Sequence, residues 1–333
     1  MNAIFLCETS DMMFRVYDKK TVGELRRLTD AEDRIYTKAE ILREPSRFSD
    51  VRIIFSTWGM PVFTEEEIRR CLPSLRCVFY GAGTVQKFAR PFLNCGVRVF
   101  SAWAANAVPV AEMTVAQIVL ANKGYFLTGR LCRGAGYSAA KKAFDGCRGN
   151  YGETVGILGA GMIGKLVIEM LKQYRLKVLV FDPFLPEEVA ERLAVETCDL
   201  QTLFARSFVV SNHLANNAQT VGMLHYGLFS KMRENAVFIN TGRGAQVVEE
   251  DLVRVLRERP DLTALLDVTH PEPPVAEHPF YNLPNCLLTP HIAGSAGDEV
   301  ARMGEYMLAE CRSYLNGDAC RYEVSASMLE TMA

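Results

Sequence analysis

The run TVGILGAGMIGKLV at 154–167, followed by KVLVFDP at 177–183, constrains this chain more than any other feature. It reads as a short apolar strand, a tight turn, a helix and a second strand ending in an acid. Gly159, Gly161 and Gly164 stand in G-x-G-x-x-G register, and Asp182 lies 18 residues after the last glycine. Each glycine has a physical task. Gly159 permits the sharp exit from the strand, Gly161 lets a pyrophosphate approach the backbone, and Gly164 lets the helix pack closely on the strand. The free N–H groups and the positive dipole end at the start of that helix suit phosphate charge. Strand, turn, helix, strand and acid in this order predict a dinucleotide site. A carboxylate at Asp182 can accept from a ribose diol and repels a 2′-phosphate. Pro183 and Phe184 behind it offer no cation. The expected coenzyme is therefore NAD rather than NADP.

Composition excludes several other classes. With 333 residues, 49% hydrophobic and 23% charged, the chain has the profile of a globular protein with room for two cores. Its 37 basic and 39 acidic residues nearly cancel, so neither nucleic acid nor an anionic membrane is an expected partner. The N-terminus has no basic segment ahead of its apolar stretch and does not read as a signal peptide. The longest apolar candidate for a membrane span, 108–121, is broken by Glu112, Thr114 and Gln117. Ten scattered cysteines without a C-x-x-C, and five histidines at no metal-ligand spacing, predict reduced thiols, a cytoplasmic location and no metal site.

Apolar runs at 4–6, 51–56, 76–81 and 97–102 read as buried parallel strands. Helices are expected near 21–28, 64–71 and 85–94, with Thr64 and Glu67 as a capping box. A long helix from Pro109 to Thr128 follows, with the proline at its first position. The glycine- and charge-rich stretch 129–152 reads as loop. Strands at 154–158, 177–181, 207–211, 236–240, 263–267 and 286–289 match a doubly wound sheet. The segment 297–316 is amphipathic, with Val300, Met303, Met307 and Leu308 at helical spacing, and is expected to rejoin the first domain. The resulting division is 1–103 with 294–333, and 104–293.

Three later segments carry candidate chemistry. Arg243 is presented between Gly242 and Gly244 just after a strand. Glu272 follows a strand that ends at Asp267. His291 is delivered past another strand by a Thr-Pro turn. In an open α/β sheet ligands bind outside the carboxyl ends of strands, so all three point to one edge. A guanidinium there suits a carboxylate or a polarised carbonyl. A histidine can exchange the hydroxyl proton, and a glutamate can hold the imidazole and favour its charged form.

These residues resemble the D-isomer-specific 2-hydroxyacid dehydrogenases over about 75–310. The similar stretches are GAGT (81–84), ANAVPVAEMT (105–114), GILGAGMIG (156–164), VFINTGRGAQVVEEDL (237–252), LDVTHPEP (266–273) and LLTPHIAGS (287–295). The resemblance implies two doubly wound α/β domains, a Rossmann domain for NAD and a flavodoxin-like substrate domain. It implies catalytic roles for Arg243, Glu272 and His291. Coenzyme contacts are implied at Met162, Ile163, Asp182, His213, Leu214, Thr220, Thr241, Gly242, Arg243, Asp267 and His291. It also implies that amides near Gly83 and Thr84 hold the carboxylate of a small 2-oxo or 2-hydroxy acid, and that the chain is a homodimer through 104–150. Trp58, after the predicted strand at 51–56, is a candidate to line the substrate pocket, with a packed loop aromatic as the alternative. The chain departs from the family in three places: Gly242 where alanine is usual, expected to loosen the turn; Ala215 where proline is common; and Val85-Gln86-Lys87 after GAGT. The stretch between His291 and Ala333 is expected to be too short for an added regulatory domain. A rival reading on the same fold is an NAD(H)-sensing binding protein of the corepressor kind.

Overall fold

A computed structural model describes residues 2–9 and 11–330. The chain divides into two compact units, 1–106 with 295–333, and 107–294. Residues 331–333, the end of the expected first domain, lie outside the described residues.

In the first unit the strands are β1 (Ala3–Leu6), β2 (Ile35–Tyr36), β3 (Ile53–Ser56), β4 (Cys77–Tyr80) and β5 (Arg98–Ser101). The sheet runs β5-β4-β3-β1-β2, with Glu323–Val324 added antiparallel beside β5. In chain order this is 2-1-3-4-5, the flavodoxin-like arrangement. Nearly every position of the longer strands is buried, as a parallel sheet covered on both faces requires. Thr64 caps the helix Glu65–Cys71 in a reciprocal box with Glu67. A second box, Thr37 with Glu40, starts Lys38–Arg43, an element the sequence reading did not include. The amphipathic segment forms a short turn, Gly297–Val300, and then the helix Ala301–Asn316. That helix buries Met303 and Met307 in the first unit's core.

The second unit carries β6 (Tyr151–Leu158), β7 (Arg175–Phe181), β8 (Glu196–Thr197), β9 (Val209–Asn212), β10 (Val237–Asn240), β11 (Thr263–Leu266) and β12 (Cys286–Leu288). Its order is β12-β11-β10-β9-β6-β7-β8, and all its pairs are parallel. This is the doubly wound dinucleotide-binding arrangement. The order reverses between β6 and β9, so ligands are expected at the carboxyl ends of those strands.

The structure corrects four expectations. The long helix is Trp103–Asn122, so Pro109 sits inside it rather than at its start. The stretch 129–152 is not loop: Tyr125–Gly134 and Tyr137–Phe144 are helices. Gly124 and Gly136, both at positive φ, mark the starts of these helices instead of unwinding the segment. Leu127 and Ala140 bury its apolar side. The helix expected at 85–94 shortens to Ala89–Asn94. β2, β8 and Glu323–Val324, each two residues long, were not anticipated, because two residues show no periodicity. Trp103–Asn122 is long and apolar enough to cross a membrane by length and composition alone; half of it is buried here.

Candidate active site

The glycine turn after β6 divides its tasks as the chemistry demands. Gly159 has φ +85°, and a Cβ there would lie 2.7 Å from the carbonyl oxygen of His213. A Cβ on Gly164 would lie 2.0 Å from the carbonyl oxygen of Gly159, so helix and strand touch at that point. At Gly161 a Cβ would meet nothing within 4 Å, and φ is an ordinary −71°. The protein itself therefore makes no demand for glycine at 161. The open space lies at the N-terminus of Met162–Leu171, where first-turn amides have no intrahelical acceptor. A pyrophosphate fits that cradle.

Asp182 follows β7. Its Oδ2 accepts from the amide of Ala160 at 2.8 Å and its Oδ1 from Phe184 at 2.9 Å. It thus braces the glycine turn, a task the sequence did not disclose. His213, after β9, is buried, with its Nε2 2.9 Å from Ser211 Oγ. Burial pushes its pKa down to about 4, so the ring is neutral at physiological pH. Its Nδ1 is buried with no partner among the described residues. Leu214 and Thr220 are buried in the same loop, where Thr220 Oγ1 donates to Ala215 O at 2.6 Å.

Asp267, past the end of β11, is 2% exposed and organises the histidine loop. Its Oδ1 accepts from Thr289 Oγ1 (2.6 Å) and the amide of Ile292 (2.8 Å), and its Oδ2 from Ala293 (2.8 Å). Its carbonyl accepts from the amide of His291 at 3.0 Å. His291 itself has φ 55°, a conformation unfavourable for a residue with a side chain. These bonds hold it there, and its Nδ1 lies 2.6 Å from Glu272 Oε1. Imidazole and carboxylate line a cavity of about 620 Å³ with Tyr281, Leu288, Pro273 and Thr289.

Arg243 lies on the same side of the sheet, past β10. Its guanidinium is half-buried, and its Nη1 donates to Gly242 O at 2.8 Å. Burial lowers its pKa from the ordinary value, and the carboxylate of Glu272 acts on it in the opposite sense. Glu272 thus touches His291 directly and Arg243 through its charge. The two loops meet at Gly244, where a Cβ would lie 2.0 Å from the carbonyl carbon of Thr269. The Glu272 loop is tied further by Glu249, whose Oε1 accepts from the amide of His270 at 2.8 Å. Burial pushes the Glu249 carboxyl up to about 7. Thr241 is buried, with its hydroxyl 3.1 Å from that of Thr114.

Gly242 does not loosen the turn as expected. A Cβ there would sit 3.2 Å from Asn212 Nδ2 and 3.3 Å from Gln246 Oε1, so the glycine is packed against buried amides. Sequence reading missed those amides, although VVSN and VFIN, two apolar strands each ending in asparagine, were a visible signal.

In the first unit, Gly83 and Thr84 form an irregular turn after β4. Ser101 Oγ donates to the carbonyls of Ala82 (2.9 Å) and Gly83 (2.5 Å). Among the described residues, none accepts from the amides of Gly83 or Thr84. Trp58 is 37% exposed, while its neighbour Met60 belongs to the core.

Residues 117–293 match the family described as D-isomer specific 2-hydroxyacid dehydrogenase, NAD binding domain. The chain belongs to the D-isomer specific 2-hydroxyacid dehydrogenases. The family's NAD-binding domain indicates NAD(H) as the coenzyme. The chain is 29% identical over 235 residues to a D-3-phosphoglycerate dehydrogenase of Archaeoglobus fulgidus, covering 71% of this chain and 44% of that one. It is 31% identical over 168 residues to a glyoxylate reductase of Korarchaeum cryptofilum, covering 50% and 51%. The aligned stretches span about half the length of the curated relatives. A phosphoglycerate oxidoreductase from Rhizobium etli shares the fold at a TM-score of 0.79, with 21% identity over 98% of this chain and 99% of that one.

Proposed function

We propose that this chain is an NAD-dependent oxidoreductase that interconverts a small 2-oxo acid and the D-2-hydroxy acid. The observation that carries this reading is the 2.6 Å contact of His291 with Glu272, made where the charge of Glu272 also reaches Arg243. Gly159, Gly161, Gly164, the first-turn residues Met162 and Ile163, and Asp182 hold the coenzyme, with His213, Leu214, Thr220, Thr241, Gly242 and Asp267 completing its surroundings. Bound NADH supplies hydride to C2 of the 2-oxo acid. His291, protonated, gives its Nε2 proton to the new hydroxyl; neutral, it takes that proton back in oxidation. Glu272 accepts from Nδ1, which fixes the ring and leaves Nε2 to face the substrate. The Arg243 fork is the group we assign to orienting the acid; in the first unit, Gly83 and Thr84, whose amides have no acceptor among the described residues, are the candidate carboxylate turn. Trp58, exposed after β3, contributes to substrate selection. The expected setting is the cytoplasm. The expected assembly is a homodimer through 104–150, where Tyr125, Tyr137 and Phe144 are exposed.

The test is NADH oxidation across glyoxylate, hydroxypyruvate, pyruvate and phenylpyruvate. His291→Ala should cut turnover on the best of these by roughly 10²-fold or more while NADH affinity stays near the parent value. Full turnover in that variant would remove His291 as the proton donor. Failure of the parent on every acid, with NADH-dependent capture of a protein, would favour the coenzyme-sensing alternative.

A further inference from the structure

The buried amides behind Arg243 form a closed network. Asn212 and Asn240 are the last residues of β9 and β10 and pair directly across the sheet. Both are buried, as is Gln246. Asn212 Nδ2 donates to Asn240 Oδ1 (3.0 Å) and to Gln246 Oε1 (2.5 Å), while its Oδ1 accepts from the amide of Leu214 (3.2 Å). Gln246 Nε2 donates to the carbonyls of Leu214 (2.7 Å) and Ala215 (3.0 Å). Asn240 Oδ1 accepts from the amide of Gly242 (3.1 Å), and its Nδ2 donates to Arg243 O (3.2 Å).

Three uncharged side chains thereby join two segments, 214–215 and 242–243. Buried amides are unfavourable unless their partners are supplied, and here both hydrogens of Asn212 and of Gln246 are used. Aliphatic side chains could close a strand end without that penalty. What amides add is direction: each bond fixes a carbonyl or an N–H in a set orientation. Amides do not titrate near neutrality, so the arrangement itself does not change with pH there. The network also accounts for Gly242, which leaves room for Asn212 and Gln246.

We propose that Asn212, Asn240 and Gln246 are positioning residues that set the Arg243 guanidinium and the 214–215 loop as one unit. The proposal rests on the reading of Arg243 as the substrate-orienting cation. Loosening the turn misplaces the fork, and a displacement of about 1 Å can cost on the order of 10²-fold in rate.

The experiment uses Gln246→Leu, Asn212→Leu and their combination in the full chain, each with Arg243 intact and with Arg243→Lys. Either single change strands a buried amide and should lower the melting temperature. The double change removes both interacting side-chain amides but leaves the N–H and the carbonyl of Leu214 without the partners they have here, so it should recover only part of the loss. With Arg243 intact, the double variant should still lose roughly 10- to 100-fold in kcat/KM for the best acid of the panel above. In the Arg243→Lys background the same change should cost under about twofold, because the fork is already lost. In the coenzyme-free protein, the amide of Gly242, whose own partner Asn240 is untouched, should exchange faster in the double variant. Parent-level kcat/KM in a folded double variant, equal losses in both backgrounds, or unchanged exchange at Gly242 would each overturn the network's role alone. Parent-level activity of Arg243→Lys itself would overturn the reading of the arginine, and this proposal with it.

Discussion

The two sheets are both buried and, apart from Glu323–Val324, parallel, yet one row across β1, β3, β4 and β5 of the first is aromatic throughout while the row that ends the central strands of the second has amides at its middle. In the first unit Phe5, Phe55, Phe79 and Phe100 occupy paired positions on β1, β3, β4 and β5. Their ring centroids follow at 5.5, 5.6 and 4.7 Å. In the second unit the row that ends β6, β9, β10 and β11 is Leu158, Asn212, Asn240 and Leu266. Rings stabilise by the area they bury and by offset contact, which tolerate small shifts. Amides at a strand end return little net stability and fix direction instead. The chain places its largest apolar side chains where nothing has to be aimed, and its buried amides where Arg243 does.

The largest expected effect removes one rung of the ladder. Phe79 is fully buried and touches Phe55, Phe100 and Tyr314. Phe79→Ala should cost about 3–5 kcal/mol of stability, read as an earlier denaturant midpoint. NADH affinity of the remaining folded protein should be unchanged. A cost under about 1 kcal/mol would show that the row is dispensable, and the contrast between the sheets would lose its first half.

The next effect belongs to the second unit, where His213 and Glu249 lie buried. Burial holds the His213 pKa at about 4, below the ordinary 6.5, so between these values the unfolded chain binds more protons. Its contribution, roughly 3 kcal/mol, is present above about pH 6.5 and is lost as pH falls toward 4. Glu249 has the opposite sign. With its carboxyl pushed up to about 7, its contribution is present below about 4.5 and is lost as pH rises through 7. The two offset one another in the parent. Glu249→Gln keeps an acceptor for the amide of His270 and removes the opposing carboxyl, while His278, which burial also holds below its ordinary pKa, acts in the same sense as His213. The variant's melting temperature should therefore fall more steeply than the parent's between about pH 7 and 4.5. Equal slopes would mean that one of these groups is not held as the structure holds it.

The same contrast explains what was legible in the sequence. Rows of apolar residues announce strands, and G-x-G-x-x-G announces a turn, because each depends on local spacing. Arg243, Glu272 and His291 were readable because each follows a recognisable strand end. Asp267 as the brace of the left-handed His291, Asp182 as the brace of Ala160, and Gln246 as the partner of Leu214 were not. Those bonds join residues 22–32 positions apart, and no spacing rule reports them. The helices at 125–144 were lost for a different reason. The glycine and charge of 129–152 read as loop, whereas Gly136 only marks a helix start.

The smallest expected effect on stability separates structure from ligand within one turn. Gly164 and Gly161 are three residues apart. A methyl group on Gly164 would be driven into the carbonyl of Gly159 at 2.0 Å, which neither helix nor strand can yield without moving. Gly164→Ala should therefore destabilise by about 1–3 kcal/mol. A methyl group on Gly161 meets nothing, and φ there suits any residue. Gly161→Ala should leave the melting temperature within a degree or two of the parent. It should nonetheless weaken NADH binding by roughly tenfold, about 1.4 kcal/mol, because the methyl group occupies the space a pyrophosphate needs. Fluorescence titration with NADH beside a thermal melt reads both. If Gly161→Ala bound NADH as tightly as the parent, the open space at the start of that helix would not be where the phosphates lie. The coenzyme would then have to be held by the loops around Asn212 and Arg243 alone.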